Sequence, residues 1–389
     1  MRDERQPATS SSARVLELDA TRGAAMLAVI LSHSATFLRP SHDRLATTLT
    51  TLGFIATPTF LLLSGVVCAH LGTRDPEHAP RVRSRLIDRG LFLLLVIHLL
   101  LGLIHTMWMP ASNAIGGSFY ITDAVAVGLL VAAFIGPTMK RDQLLCLGAV
   151  LLVGAWLLSA TINGPHAGIF RYFERLLVGL EDSGDQDEGW IVPVLPYLGL
   201  FLIGLAAGTE YTALRARAAS RDAIVRLCVG IGFASLSAGM ALKIGWLAAK
   251  PELPQTWYRL LHWLTDPRAK IPPGPAYILV YGGAGLVMAG LITRVTGTAR
   301  GERAVRRLAI VGRSSLFVFV LQYGLIFVPA WGFHVHGDIP FWGIALVACV
   351  ICCWTLAWFW DRSNCNRLLT LRPLIGASVP RFLVGDRKT

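Results

Sequence analysis

Long apolar runs separated by short polar, basic joints dominate the chain. Ten runs read as membrane-crossing helices: 23–38, 46–72, 86–107, 120–137, 143–161, 191–209, 222–247, 275–293, 308–331 and 340–360. About 20 apolar residues cover a bilayer as a helix. Barrel strands would be about ten residues long and would alternate, whereas these runs are longer and uniformly apolar. The pattern predicts an all-α, multi-pass membrane protein with about ten spans. Residues 1–389 read as one integral-membrane unit, with 1–13 and 377–389 as flexible cytoplasmic tails. The longest joints, 162–190 and 248–274, are long enough to be functional.

Composition sharpens this picture. Only 15% of the 389 residues are charged and 54% are hydrophobic, against roughly 25% charged in a typical soluble domain. An ordinary cytosolic enzyme, a disordered chain and a disulfide-stapled secreted domain are excluded. The net charge of +12 would also suit a nucleic-acid binder, so the placement of the charges decides. With the N-terminus inside, 27 of the 36 Lys and Arg residues fall on inward joints or adjoining helix ends, and 8 fall outside. Basic residues concentrate on the cytoplasmic side of membrane proteins. Both termini are therefore expected in the cytoplasm, and no nucleic-acid partner is needed. Six of the seven cysteines lie in apolar runs, where a thiol behaves as a small hydrophobe; neither disulfides nor a metal are expected.

The first run carries ionisable residues, which inside a membrane helix are costly and mark functional sites. Arg22 and His33 are eleven residues apart. That spacing places them on one helix face, about 16 Å apart along the axis. Asp19, one turn before Arg22, is positioned to pair with it. Arg22 is expected at the cytoplasmic interface and His33 near the middle of the membrane. Low dielectric disfavours a charged imidazole, and a neutral one is what a general base needs. A structural histidine and a snorkelling arginine are the plainer readings of the same two residues.

Other groupings are less pointed. Asp123 is expected near His98 and His105, which share a face of the third run, as a pair that orients a base or as packing glue. The acidic stretch 181–188 lacks the order of a calcium loop. The cluster His334, His336 and Asp338 is metal-like in composition only.

Several segments resemble the transmembrane acyltransferases, a superfamily that includes acyltransferase family 3 and the heparan-alpha-glucosaminide N-acetyltransferase catalytic family. They are RVLELDATRGAAMLAVILSH (14–33), ATPTFLLLSGVVCAHLG (56–72), RSRLIDRGLFLLL (83–95), LPYLGLFLIGLAAG (195–208) and VGRSSLFVFVLQYGLI (311–326). The spacing of Arg22 and His33 is similar to that of an Arg and a His in the first helix of family 3 enzymes. In the heparan-type branch the active-site histidine follows the first helix, which makes His42 the alternative base. Relatives often carry a histidine where this chain has Gln322, so no acid–base role is assigned there.

The resemblance implies an integral membrane acyltransferase in a bacterial inner or plasma membrane. Acyl-CoA, with acetyl-CoA as the expected donor and no metal, would give its acyl group to a hydroxyl or amine of a glycan, lipid or small-molecule acceptor. His33 would be the base, supported by Arg22 and Asp19. Arg85, Arg89 and Arg313 would hold the CoA phosphates, to which Arg pairs well. Ser64, Asp123, Gln322 and Tyr323 would contact the acceptor or the developing oxyanion. Homo-oligomerisation stays open. The competing readings are a transporter or flippase of a glycan or lipid, which would be expected to show paired inverted repeats, and a structural partner.

Overall fold

A computed structural model describes residues 15–38, 44–71, 79–161, 169–179, 191–216, 221–249 and 254–371. Among these, every regular element is helical. In chain order the helices are α1 (Leu16–Phe37), α2 (Arg44–His70), α3 (Ala79–His105), α4 (Ile121–Ile135), α5 (Arg141–Thr161), α6 (Ile169–Leu177) and α7 (Val194–Ala216). They continue with α8 (Arg221–Ala249), α9 (Gln255–Thr265), α10 (Pro275–Val295), α11 (Ala299–Arg313), α12 (Ser315–Gly332) and α13 (Ile339–Arg362). Eight of them are long and apolar enough to cross a membrane, and the chain is an integral membrane protein. Helices α1 and α4 also coincide with predicted runs; α4 is shorter, and α1 carries Glu17, Asp19 and Arg22 in its first two turns. The run predicted over 308–331 is divided between α11 and α12 at Ser314.

The packing follows the glycines. Helices α1 and α11 meet backbone to backbone: a Cβ at Gly312 would run into the Asp19 carbonyl, and one at Gly23 into the Leu308 carbonyl. Helix α2 lies as closely on α7, and α5 packs on the other side of α7. Helices α3 and α4 pair, and α12 and α13 close the bundle against α1. The core formed by these elements includes Met26, Ile30, Leu101, Phe201, Leu202 and Phe327, all almost completely buried. Helix α8 packs mainly on α10 and buries only a minor share of its surface, as expected of a lipid-facing helix.

Local signals set the helix ends. Thr298 caps α11 by accepting from the Gly301 amide, and Asp338 caps α13 by accepting from the Phe341 amide. The turn before α13 also closes α1: His336 Nδ1 donates to the Phe37 carbonyl and the Gly337 amide to the Leu38 carbonyl. Two members of the metal-like cluster, His336 and Asp338, are thus engaged at helix ends. Three helices contain widened π-type turns, at Leu93–Ile97, Ile278–Gly282 and Tyr323–Gly332. Such turns often accompany functional sites. The last contains Pro329, which has no amide hydrogen to offer a regular helix.

Candidate active site

A cavity of about 270 Å³ runs through the bundle. Its lining starts at the amino-terminal side, with Arg22 of α1, Leu71 after α2, Arg89 of α3 and Ser315 of α12. It reaches the opposite side at Phe119, Val192, Lys270 and Ile271. Between these ends the wall is largely apolar, with Met26, Phe60, Val67, Leu86 and Leu93 along it and Ser64 on α2.

Two cations mark the amino-terminal end. Arg22 Nη2 donates to Ser315 Oγ over 3.1 Å, which ties the first helix to the start of α12. Arg22 and Arg89 both lie near Cys68, another lining residue, so their guanidinium groups share one neighbourhood. Asp19 does not line the cavity; it sits against α11, close to Arg313. Arg313 is held by Asp361 of α13 through Nε and Nη2, at 3.0 and 2.6 Å, and does not line the cavity either. Arg85 is exposed on α3, one turn before Arg89.

His33 lines the same cavity as Arg22, so the shared helix face read from their spacing is realised. Helix α1 starts at Leu16, seven residues before the apolar run, and His33 stands four residues before its end at Phe37. Phe37 and Phe327 pack edgewise on the imidazole, with centroids at 5.9 and 5.0 Å. The side chain of Gln322 faces it. Gln322 is fully buried beside His33 and does not itself line the cavity.

The remaining candidates separate. Tyr323 lines the cavity, stacked on Phe327 at 4.3 Å. Asp123 is completely buried and accepts from the Tyr120 amide at 2.7 Å. It meets His98 Nδ1 at 2.8 Å, while His98 Nε2 donates to the Ile115 carbonyl. Both nitrogens of His98 are thus engaged in tying α3 and α4 to the turn between them. His105 bonds within its own helix, to the Leu101 carbonyl. This network braces the cavity wall at Tyr120 and Thr122 but adds no reactive group. His42 and the acidic stretch 181–188 lie outside the described residues.

One site residue escaped the sequence reading. Lys270 is on the loop between α9 and α10, in an irregular Pro-rich stretch where no periodicity assigns a face. Its backbone carbonyl accepts from Tyr197 Oη of α7 at 2.8 Å. The carbonyls of Pro272 and Pro273 accept from Trp263 Nε1 of α9 and Trp156 Nε1 of α5, at 3.0 and 2.7 Å. The loop is therefore pinned by donors from three helices. It places Lys270 on the cavity wall, near Phe54 and on the same cavity as His33. Burial pushes the Lys270 ammonium down to about 8.

The family model for the heparan-alpha-glucosaminide N-acetyltransferase catalytic domain matches residues 14–240, which is more than half of the chain. The chain belongs to that family. No curated protein matches it significantly. Of the two branches that the sequence resembles, the heparan-type one is matched, and membership supports an enzyme of the transferase class. The matched region supplies Arg22, His33, Ser64 and Arg89 to the cavity. Lys270, Ser315 and Tyr323 come from beyond it.

Proposed function

We propose that the protein transfers an acetyl group from cytoplasmic acetyl-CoA to an amine or hydroxyl of a glycan, lipid or small molecule that reaches the cavity from the opposite face. The observation that carries this reading is the single cavity that joins the Arg22–Arg89 pair to His33. Guanidinium pairs suit the CoA phosphates, and the apolar wall between them and His33 suits the pantetheine arm. Arg85 adds charge at the same mouth. Arg313 is not included, because Asp361 already occupies it. The bias of basic residues assigns the amino-terminal side to the cytoplasm.

In this reading His33 takes the proton from the acceptor nitrogen or oxygen as that atom attacks the thioester carbonyl. The tetrahedral oxyanion accepts from a hydroxyl on the cavity wall, that of Tyr323 or Ser64, and Gln322, buried beside His33, steadies the imidazole. Collapse breaks the C–S bond, and the leaving thiolate recovers the proton from the imidazolium. Tyr323 and Ser64 shape the pocket around the reacting atoms. Arg22 positions the donor, and Asp19 holds the start of α1 against α11.

The test is acetyl transfer from acetyl-CoA to glucosamine in sealed vesicles of known orientation. Transfer is expected only when acetyl-CoA is supplied on the face that carries residues 299–313. His33→Ala should lower the rate roughly 10²–10⁴-fold, the usual value of a positioned base, with folding and CoA binding kept. His33→Gln should do no better, since an amide cannot accept the proton. A folded His33→Gln protein with near wild-type turnover would remove the role from His33 and pass it to His42. A wild-type protein that moves the sugar across the membrane without acetylating it would restore the transporter reading.

A further inference from the structure

Lys270 is a cation on the cavity wall with no acidic partner among the described residues. Its ammonium makes no hydrogen bond or ion pair to a described residue and lies 5.7 Å from the centre of the Phe54 ring. Asp266, the acid nearest to it in the sequence among the described residues, is shared by Lys243 and Arg268 at 3.5 and 3.6 Å. Lys270 is half-buried, so its ammonium is partly withdrawn from water where it faces the cavity. A long, flexible lysine on a mobile loop would escape to water, yet this loop is fixed by Tyr197, Trp156 and Trp263. The loop thus holds Lys270 at the cavity as α1 holds His33.

We infer that Lys270 is the specificity residue for the acceptor, and that the acceptor carries an anionic group (a carboxylate, sulfate or phosphate) close to the amine or hydroxyl that is acetylated. The inference rests on the acetyl-transfer reading above. Location separates this role from that of the arginines. Lys270 is at the end of the cavity away from Arg22 and Arg89, on the side from which the acceptor comes. The ammonium is a compact point charge, suited to one anionic group at a fixed distance from His33. Even with its affinity for protons lowered to about 8, most of it is charged at neutral pH. A bound anion would favour the charged form further.

The experiment compares glucosamine with glucosamine 6-sulfate, which share the reacting amine and differ by one anion. Binding is followed calorimetrically and transfer from acetyl-CoA is followed in parallel, for the wild type, Lys270→Gln and Lys270→Arg. The wild type should prefer the sulfated sugar in both binding and kcat/KM. Lys270→Gln should lower that preference roughly ten- to a hundred-fold, the range of one charge-assisted hydrogen bond, with the KM for acetyl-CoA unchanged. Lys270→Arg should retain most of it. Equal binding of the two sugars by the wild type would overturn the inference even if acetyl transfer is intact. So would an undiminished preference in a folded Lys270→Gln, or an effect confined to the KM for acetyl-CoA, which would assign Lys270 to the donor phosphates. Preferential binding of the sulfated sugar without any transfer would sink the acetyltransferase reading and leave Lys270 as an anion site.

Discussion

At one end of the cavity Arg22 and Arg89 project from regular helices. At the other, Lys270 projects from a loop whose carbonyls are fixed by side chains of three different helices. The arginine end is built from helix periodicity: each guanidinium is placed by the helix that carries it, and Ser315 braces one of them across the bundle. The lysine end is built from long-range donors, and the loop has little regular structure of its own. The two ends therefore differ in how they should fail. Loss of one arginine should remove a contact and leave the frame. Loss of one pinning donor should leave the cation in the chain but loosen its position.

Three measurements would break or sharpen that contrast. The largest effect is expected at the arginine end. Arg22→Ala or Arg89→Ala should each cost about 1.5–3 kcal/mol of acetyl-CoA affinity if the side chain meets a phosphate, read as a rise in KM or Kd for the donor. The preference between glucosamine and its sulfate should be untouched. A shift in that preference instead would dissolve the distinction between the ends.

Next comes pH. Lys270 is charged below about 8 and neutral above it. The preference for glucosamine 6-sulfate should therefore be full at pH 6.5 and should decline as pH rises through 8, by up to about tenfold per unit. Because the two sugars share one amine, its own titration affects both and the ratio isolates Lys270. In Lys270→Arg the ratio should stay flat over the same range, since guanidinium stays protonated. A ratio that falls equally in both proteins would exclude Lys270 as the titrating group.

The smallest effect is expected from Tyr197→Phe, which keeps the ring and removes the hydroxyl that holds the Lys270 carbonyl. The loss should be about 1 kcal/mol or less in stability, visible as a modest fall in Tm. The acceptor preference should weaken and donor KM should not move. An unchanged preference would mean that the remaining two pins suffice.

The same contrast explains what was legible in the sequence. Residues on one helix can be related by the 3.6-residue period, so the shared face of Arg22 and His33 could be read directly, and the structure has it. Helix starts are less legible: apolarity marks where a helix is greasy, not where it begins, and α1 begins at Leu16 with polar turns that the apolar run 23–38 leaves out. Partners distant in sequence leave no local trace: the sequence offers Arg313 as a phosphate ligand, but Asp361, 48 residues on, holds it. It offers Asp123 both His98 and His105, and of the two the structure pairs it with His98. For Lys270 it gives only a basic residue on an outward joint, because an irregular loop has no period to say where a side chain points.

The widened turn that begins at Tyr323 has a consequence for any comparison of relatives. Gln322 and Phe327 both face His33 although they are five residues apart. On a regular α-helix that separation would set them about 140° apart around the axis. A widened turn of this kind corresponds to a single inserted residue carried within a helix. A relative shorter by one position here would keep the helix and turn one of these two side chains away from His33. Aligned column by column without a gap, its sequence would pair a residue that faces His33 with one that does not. The length of segment 322–332 therefore matters to the surroundings of His33 as well as the identity of its residues.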